Sequence, residues 1–467
     1  MLFSHNNSQR TTGVFRFSGD VTAKAHPACT EPVLSEFWHG FTYRTSNLTV
    51  VPCEDLIFQI GQVKAPCLDG NAYAISISES GVCVRAAGKK ELLWGYLTLL
   101  DSIEMDNDGA LYLTCGEMKE SPSVKRRMVH FCVFHETELW EFHKFVRLCG
   151  ALKYTHLLIE FWGMYKFDCL DALSWENGFT KEQLKPIIDE AHALGMEIVP
   201  FFNHWGHATG SRAIHGKHVV LDQAPWLQSL YTDEGWCWNY KNSSTLDLLK
   251  QVRHELIELC GPGEYFHIGC DEAHSFDFSD ENMRSIIHYL NSVSEELAAC
   301  GRKTIVWGDM FLTKRSEYTS ENFYYMNAPS IEKADYMLSI LNPQIIIADW
   351  QYDAKTAPVE TALTISAAGH AVMLCTWDRG DAVGDACIST IRNNNLYGLI
   401  HTTWHTLTDG MSQVSRMAAL CWQSEKQSEY AWQYHFATAA MMRKISFVNG
   451  DYRTAGWGYY DVGVLTT

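Results

Sequence analysis

Eight short apolar runs recur along the chain from about residue 128 onward, separated by stretches with helical patterns. The runs are residues 128–134, 154–161, 196–202, 264–270, 303–309, 344–350, 370–377 and 397–404. They do not alternate apolar with polar residues, so both faces of each predicted strand should be buried, as in a parallel sheet covered by helices. Eight β/α units over about 300 residues predict a (β/α)8 TIM barrel of the α/β class.

Helix boundary signals agree with this reading. Thr180 and Gln183 form a predicted capping box before "LKPIIDEAHAL". Gly195, Gly301 and Gly369 each follow a helix-like stretch and precede an apolar run, where a left-handed helix cap belongs. A doubly wound open sheet is the alternative, but it normally has a glycine-rich loop after its first strand, and "VFHETELW" has none.

The chain before Met128 has a different pattern. "NAYAISISESGVCVRA" alternates around a Ser-Gly turn, which predicts a hairpin, and "KKELLWGYLTLLDSI" has helical periodicity. We therefore expect a small α+β domain over residues 1–122, the barrel over 123–425, and a C-terminal helix and tail over 426–467 that pack on the barrel.

Composition excludes several classes of partner. The net charge of −18 over 467 residues argues against nucleic acid. No apolar run reaches the ~18 residues of a membrane span, and the first residues lack the features of a secretory signal. The 15 cysteines are scattered without a C-x-x-C pair, which is typical of reduced thiols. These features predict a cytoplasmic protein, and a homodimer is compatible with them.

Acidic and aromatic residues follow nearly every predicted strand. In a β/α barrel the carboxyl ends of the strands form one rim, where catalytic groups gather. Indole rings can stack on the flat faces of sugars, and carboxylates can accept hydrogen bonds from sugar hydroxyls. The pattern therefore predicts a sugar site. The strand-end residues are Glu160, Trp162, Asn203, Asp271, Glu272, Trp307, Asp309, Asp349, Trp350, Tyr352, Trp377, Asp378 and Trp404.

Asp271 and Glu272 are adjacent at the end of the fourth run, in "EYFHIGCDEAH". Two close carboxyls do not ionise independently, so one is expected to keep its proton near neutral pH and to serve as a general acid in glycoside cleavage. A common retaining glycosidase needs its second carboxylate ~5 Å away, across the bond. Neighbours on one strand are poorly placed for that, which favours a reaction in which the substrate supplies the nucleophile.

Three stretches resemble one known family. "HIGCDEAH" is similar to the His-x-Gly-x-Asp-Glu signature of glycoside hydrolase family 20, the β-N-acetylhexosaminidases. "FTKEQLKPIIDEAHALGMEIVPFFNHWGHA" resembles the third β/α unit of that family, and the hairpin and helix before the barrel resemble its small preceding domain. The resemblance spans roughly residues 70 to 410.

The resemblance implies substrate-assisted catalysis on a glycan or amino-sugar glycoside. Glu272 would protonate the leaving oxygen, the 2-acetamido oxygen would attack the anomeric carbon, and Asp271 would hold the acetamido N–H. Tyr352 is the expected partner of the acetamido oxygen, because "TWDRGD", where the family places a tyrosine, has none. The expected substrate-binding residues are Arg126, Glu160, His207, Trp307, Trp350, Asp378 and Trp404, with His207 close to Glu272 and the three tryptophans forming the pocket wall.

The chain departs from the family at several positions. His130 and Phe131 stand where the family has an acid after its opening arginine, which we align with Arg126, and Asn203 replaces an aspartate. These departures suggest a divergent branch near the intracellular hexosaminidase D type.

Two other functions are open. One is a sugar-binding barrel without activity, against which the retention of both acids argues. The other is a metal-dependent barrel hydrolase. Asn203, His204 and His207 lack a His-x-His spacing and a companion lysine or aspartate, and His215 and His218 fit a polar loop. The sequence therefore predicts no metal site and no cofactor.

Overall fold

The computed structural model describes residues 9–17, 19–161, 163–209, 220–404, 407–422 and 432–445. Trp162, His215, His218 and most of the 426–467 segment lie outside the described residues.

The N-terminal unit is a mixed sheet with two helices. Its strands follow the order β1-β8-β5-β6-β4-β2-β3, with β7 paired to β8. The predicted hairpin is the antiparallel pair β5 and β6, and α2, the predicted helix, packs on it. The strands are β1 Gln9–Phe17, β2 Gly19–Ala25, β3 Ser46–Pro52, β4 Ile57–Gly61, β5 Tyr73–Ser78, β6 Gly81–Ala86, β7 Glu104–Met105 and β8 Leu111–Glu120, and the helices are α1 Pro32–Phe41 and α2 Lys89–Asp101.

Eight parallel strands follow and close into a barrel. Every neighbouring pair is parallel, and β16 pairs with β9 to complete the ring, which confirms the barrel and excludes the doubly wound sheet. Each predicted apolar run corresponds to one strand, although β9 begins one residue before its run. The strands are β9 Arg127–Cys132, β10 His156–Glu160, β11 Glu197–Phe201, β12 Tyr265–His267, β13 Lys303–Trp307, β14 Ile346–Trp350, β15 Val372–Thr376 and β16 Gly398–His401.

Helices surround the barrel, and the four helix boundaries predicted from the sequence are confirmed. Thr180 and Gln183 form the capping box of α4, and Gly195, Gly301 and Gly369 have positive φ. The helices are α3 Leu139–Ala151, α4 Lys181–Ala193, α5 Val220–Gln223, α6 Ser243–Cys260, α7 Asp280–Ala299, α8 Ile331–Ile340, α9 Glu360–Ala367, α10 Asp381–Asn394, α11 Leu407–Trp422 and α12 Trp432–Ile445. None of the helices in the described part of the chain is long and apolar enough to cross a membrane.

The last described helix joins the two units. α12 packs against α3 and α11 of the barrel and also against α1 of the N-terminal unit. The contact with α1 is close, because a Cβ added at Gly40 would lie 1.7 Å from the carbonyl oxygen of Lys444.

Side chains of the barrel strands alternate between two environments. Met128, Leu158, Ile305, Met373 and Ile400 belong to the cluster inside the barrel, whereas their chain neighbours pack against the helices. Because alternate residues of a strand share a face, residues two or four positions further along also point inward, at the carboxyl end. The strand-end residues with this parity are His130, Cys132, Glu160, Asn203, His267, Trp307, Trp350, Tyr352, Trp377, Thr402 and Trp404.

Candidate active site

The backbone that carries Asp271 and Glu272 is irregular. β12 ends at His267, and φ is positive at Gly269, Cys270 and Glu272, with values of 66°, 82° and 49°. A positive φ is uncommon for residues other than glycine and is often found at functional sites. In a regular strand two successive side chains would point to opposite faces. The left-handed conformations instead turn both carboxylates toward one pocket.

Two glycines allow the loops after β11 and β12 to touch. A Cβ at Gly269 would lie 1.9 Å from Asn203 Oδ1, and a Cβ at Gly206 would lie 1.9 Å from the carbonyl oxygen of Asp271. Neither distance leaves room for a side chain. The glycines in "HIGCDE" and "HWGHA" are therefore required by this close approach.

His207 lies between the two acids. Its Nε2 atom is 3.0 Å from Glu272 Oε2 and 3.4 Å from Asp271 Oδ2. The Asp271 side chain is 9% exposed, and that of Glu272 is 34% exposed. The adjacent acids thus share one imidazole partner, and Glu272 has the greater access to a substrate.

Asp309 fixes the backbone beneath the pair. Its fully buried carboxylate accepts hydrogen bonds from the Glu272 N–H at 2.9 Å, Asn327 Nδ2 at 2.7 Å and Trp350 Nε1 at 3.0 Å. Burial and the charge of nearby Asp271 raise the pKa of Asp309 above its ordinary value.

Trp236 supports the same loop from the other side. Its indole Nε1 donates to the Glu272 carbonyl oxygen at 2.6 Å, and its ring centroid lies 4.5 Å from that of His207. The positions of Glu272 and His207 are therefore coupled through one side chain.

Four aromatic side chains line the carboxyl end of the barrel near these acids. The ring centroids of Trp307 and Trp404 are 5.8 Å apart, and those of Trp350 and Tyr352 are 5.5 Å apart. Tyr325 stacks on Trp350 at 4.8 Å. The structure thus brings the three predicted tryptophans and Tyr352 into one wall.

The phenol of Tyr352 has a defined hydrogen-bonding role. Its oxygen accepts from Trp404 Nε1 at 2.9 Å, because an indole N–H can only donate. The same oxygen also accepts from Thr402 Oγ1 at 3.1 Å, so the phenol's own proton can be directed at a substrate oxygen. Burial raises the pKa of Tyr352 well above its ordinary value, so the phenol remains a donor.

The two remaining acids predicted for the substrate differ in setting. Glu160 is buried, and Asn203 Nδ2 donates to its Oε1 at 2.8 Å. Asp378 is partly buried just after β15, two residues beyond the end of the strand. Both are at the carboxyl end of the barrel, as predicted.

The structure places Arg126 elsewhere, so its prediction as a substrate-binding residue is wrong. Arg126 precedes β9, donates to the Tyr265 hydroxyl at 3.1 Å, and lies 3.8 Å above the Tyr397 ring. Tyr265 begins β12 and Tyr397 precedes β16, so these contacts are at the amino ends of the strands. β9 is six residues long, which separates Arg126 from the acid pair by roughly 20 Å.

Sequence reasoning missed several residues at the site. Asp309 has a signal in the sequence, since it is an acid that follows a strand. Trp236, Tyr325 and Asn327 lie on long connections without regular periodicity, and their contacts depend on tertiary packing.

Within the part of the chain that the structure describes, two groups of side chains could hold a metal ion. His207, Asp271 and Glu272 form one, and the fully buried His130, Cys132 and Glu160 form the other. Within each group the potential ligand atoms all lie within 4.8 Å of one another.

Comparison with known proteins shows a match to one protein family. Residues 156–379 match the model of the catalytic domain of glycosyl hydrolase family 20. The probable beta-hexosaminidase fdl of Drosophila melanogaster is 25% identical over 127 residues, which make up 25% of this chain and 19% of that protein. The match thus spans about a fifth of the length of this curated relative.

Solved structures show the same fold. A GH20 exo-β-N-acetylglucosaminidase from Vibrio harveyi in complex with N-acetylglucosamine has a TM-score of 0.69 at 14% identity, covering 94% of this chain and 77% of that chain. The GH20 β-N-acetylhexosaminidase from Streptomyces coelicolor has a TM-score of 0.67 at 14% identity, covering 94% of each chain. The matched segment begins with β10 and contains both Asp271 and Glu272, and residues 156–379 therefore belong to the family 20 glycosyl hydrolase catalytic domains.

Proposed function

We propose that the protein is a retaining exo-β-N-acetylhexosaminidase that releases terminal GlcNAc or GalNAc from glycosides. The observation that carries this proposal is the convergence of Asp271 and Glu272 on one His207 nitrogen, at 3.4 and 3.0 Å, beside a wall of aromatic rings. The family match supports it, and the curated relative is named as a probable beta-hexosaminidase.

In the proposed mechanism the substrate's own acetamido group is the nucleophile. Its carbonyl oxygen attacks the anomeric carbon while the bond to the leaving oxygen breaks, and Glu272 gives that oxygen a proton. Water then attacks the anomeric carbon of the oxazolinium intermediate, the bond from that carbon to the acetamido oxygen breaks, and Glu272 takes a proton from the water. Two displacements at one carbon retain its configuration.

Each neighbouring residue has a role suited to its surroundings. Asp271 is nearly buried, so its carboxylate is suited to accept the acetamido N–H and to stabilise the positive charge that develops there. Tyr352 is suited to donate its proton to the acetamido oxygen. His207, hydrogen-bonded to Glu272, orients the acid.

The other functions predict different behaviour. A metal ion bound by His207, Asp271 and Glu272 would occupy the oxygen that must carry the proton, so a metal-dependent hydrolase could not use Glu272 as its acid.

We also propose a reducing compartment and a partner other than nucleic acid. The high cysteine content without a disulfide pattern supports the first, and the net charge of −18 supports the second.

Glu272→Gln tests the proposal. On alkyl β-N-acetylhexosaminides, whose leaving groups need a proton, kcat/KM should fall by about 10²–10⁴-fold, and on aryl glycosides with acidic leaving groups it should fall much less. Glu264→Gln is the matched control, since Glu264 lies just before β12 at the far end of the same strand.

Equal losses on both classes of substrate would contradict the assignment of Glu272. Aryl β-glucosides, which have no acetamido group, should be inert, and the first product seen by NMR should be the β-anomer. Robust glucosidase activity or inversion would refute the proposed mechanism.

A further inference from the structure

Three inward side chains meet where β9 and β10 end. His130 and Cys132 are two residues apart on β9, and the register pairs Leu158 with His130 and Glu160 with Cys132. All three side chains therefore point into the barrel from adjacent strands. They are among the most buried polar groups of the chain, with exposures of 0% for His130, 4% for Cys132 and 1% for Glu160.

The three distances in this cluster match the spacing of ligands around a metal ion, although the two that involve the Cys132 sulfur also suit thiol hydrogen bonds. His130 Nε2, Cys132 Sγ and Glu160 Oε2 form a triangle with sides of 3.3, 3.4 and 3.5 Å. Zinc bonds of about 2.3 Å to sulfur and about 2.0–2.2 Å to nitrogen and oxygen, at tetrahedral angles, give sides of about 3.4–3.6 Å. A charged N–H to carboxylate hydrogen bond would instead be about 2.7–2.9 Å.

We propose that His130, Cys132 and Glu160 bind a divalent transition-metal ion of the zinc class. Imidazole and thiolate favour such an ion over calcium or magnesium, which prefer oxygen ligands. A dication would also neutralise the buried carboxylate and thiolate, which are costly to leave as uncompensated charges inside a protein.

The surroundings orient the ligands. Asn203 Nδ2 donates to Glu160 Oε1 at 2.8 Å, which leaves Oε2 directed at the cluster. When Nε2 of His130 binds a metal, Nδ1 carries the proton, and Nδ1 has no protein acceptor within the described residues. The His130 ring is held instead by packing against Trp404 and Phe201, at 4.7 and 5.8 Å.

The site has an open position beside the sugar pocket. Three protein ligands leave the fourth tetrahedral position to water or another oxygen. His130 contacts Trp404, which belongs to the aromatic wall, so this position borders the same end of the barrel. The fourth ligand is therefore water, or a hydroxyl of a bound sugar. The metal site stands on its own ligands, independently of the proposed glycosidase activity.

Cobalt titration tests the site without any measure of turnover. The full chain, purified without a histidine tag and treated with a chelator, should bind about one Co²⁺ per chain and develop a thiolate-to-cobalt charge-transfer band. Cys132→Ser should abolish that band, and Glu160→Gln should weaken Co²⁺ binding by at least about tenfold. Cys375→Ser is the matched control, because Cys375 is another buried, inward thiol at the end of β15, and it should keep the band.

Several outcomes would overturn the proposal. They are a wild-type chain that binds no Co²⁺ in stoichiometric amount, a band that survives in Cys132→Ser, and bound Co²⁺ that is lost in His207→Ala, which would place the metal at the acid pair. Circular dichroism shows whether Cys132→Ser folds. If it does not fold, Co²⁺ binding by the wild type still tests for a metal site, and Glu160→Gln shows whether the metal is at this cluster.

Discussion

The barrel mouth contains two triads of similar composition that differ in how they are held. The acid cluster (His207, Asp271 and Glu272) lies on loops with positive φ and exposes a third of its glutamate side chain. The strand-end cluster (His130, Cys132 and Glu160) lies at the ends of two regular strands and is buried. The shortest contact is 3.0 Å in the first and 3.3 Å in the second.

The difference indicates what each cluster can do. A proton donor needs access to its substrate and a partner at hydrogen-bonding distance, and the acid cluster has both. An ion needs several ligands kept at fixed, slightly longer separations, which adjacent strands provide. Residue type alone does not separate the two, since each has a histidine and a glutamate.

The largest expected effect concerns Asp271. Asp271→Asn should lower kcat by about 10²–10³-fold with little change in KM, because the carboxylate acts on charge that develops in the transition state. Steady-state kinetics on an aryl β-N-acetylglucosaminide measure this split. Asp277→Asn, an exposed acid on the following loop, is the control, and an unchanged kcat in Asp271→Asn would mean that the adjacent pair is structural.

A smaller effect should show that only the acid cluster depends on the close approach of the loops after β11 and β12. Gly206→Ala forces the Asp271 carbonyl away, and a shift of about 1 Å in a catalytic group can cost about 100-fold in rate. Because β9 and β10 do not depend on this approach, Co²⁺ binding should persist in the same variant. Gly301→Ala strains a left-handed helix cap before β13, but no atom lies within 4 Å of the added Cβ, so the folded variant should keep full activity. Loss of both properties in Gly206→Ala would show that the clusters are not independent.

The smallest expected effect is on the stability of the fold and comes from Asp309, which lies beneath the acid cluster. The folded state raises the pKa of Asp309, so it binds the Asp309 proton more tightly than the unfolded state does. This contribution to stability is complete below about pH 4, the ordinary value of an aspartate, and is lost as the pH rises through the raised pKa. The melting temperature of the wild type relative to Asp309→Asn should therefore fall from pH 4 toward neutral pH, and a constant difference across a calorimetric pH series would contradict the assignment.

The barrel itself could be predicted because each strand is a continuous apolar run. Within a run, the alternation of residues also indicates which side chains point into the barrel. Asp349 and Asp309 both follow apolar residues, yet only Asp309 reaches the acid pair. Asp349 alternates with the inward Ala348 and Trp350, so it faces outward and binds Thr361 of α9. The sequence contains this distinction once the strand register is known.

Other features depend on packing that no local pattern records. The assignment of Arg126 to the sugar rested on an alignment of motifs, and the residue lies at the amino ends of the strands. Trp236 and Asn327 approach the acid loop from connections whose paths are set by the folded barrel. The His130 and Cys132 spacing was visible, but Glu160 joins them only through the pairing of β9 with β10.

The packing of α12 on α1 has a consequence for the order of synthesis. A ribosome that adds about 5–20 residues per second would complete α12 roughly 20–80 s after α1 has been made. Throughout that interval the surface of α1 around Gly40 lacks the helix that covers it in the finished protein. The nascent chain therefore exposes this surface of α1 until its own last described helix has been made.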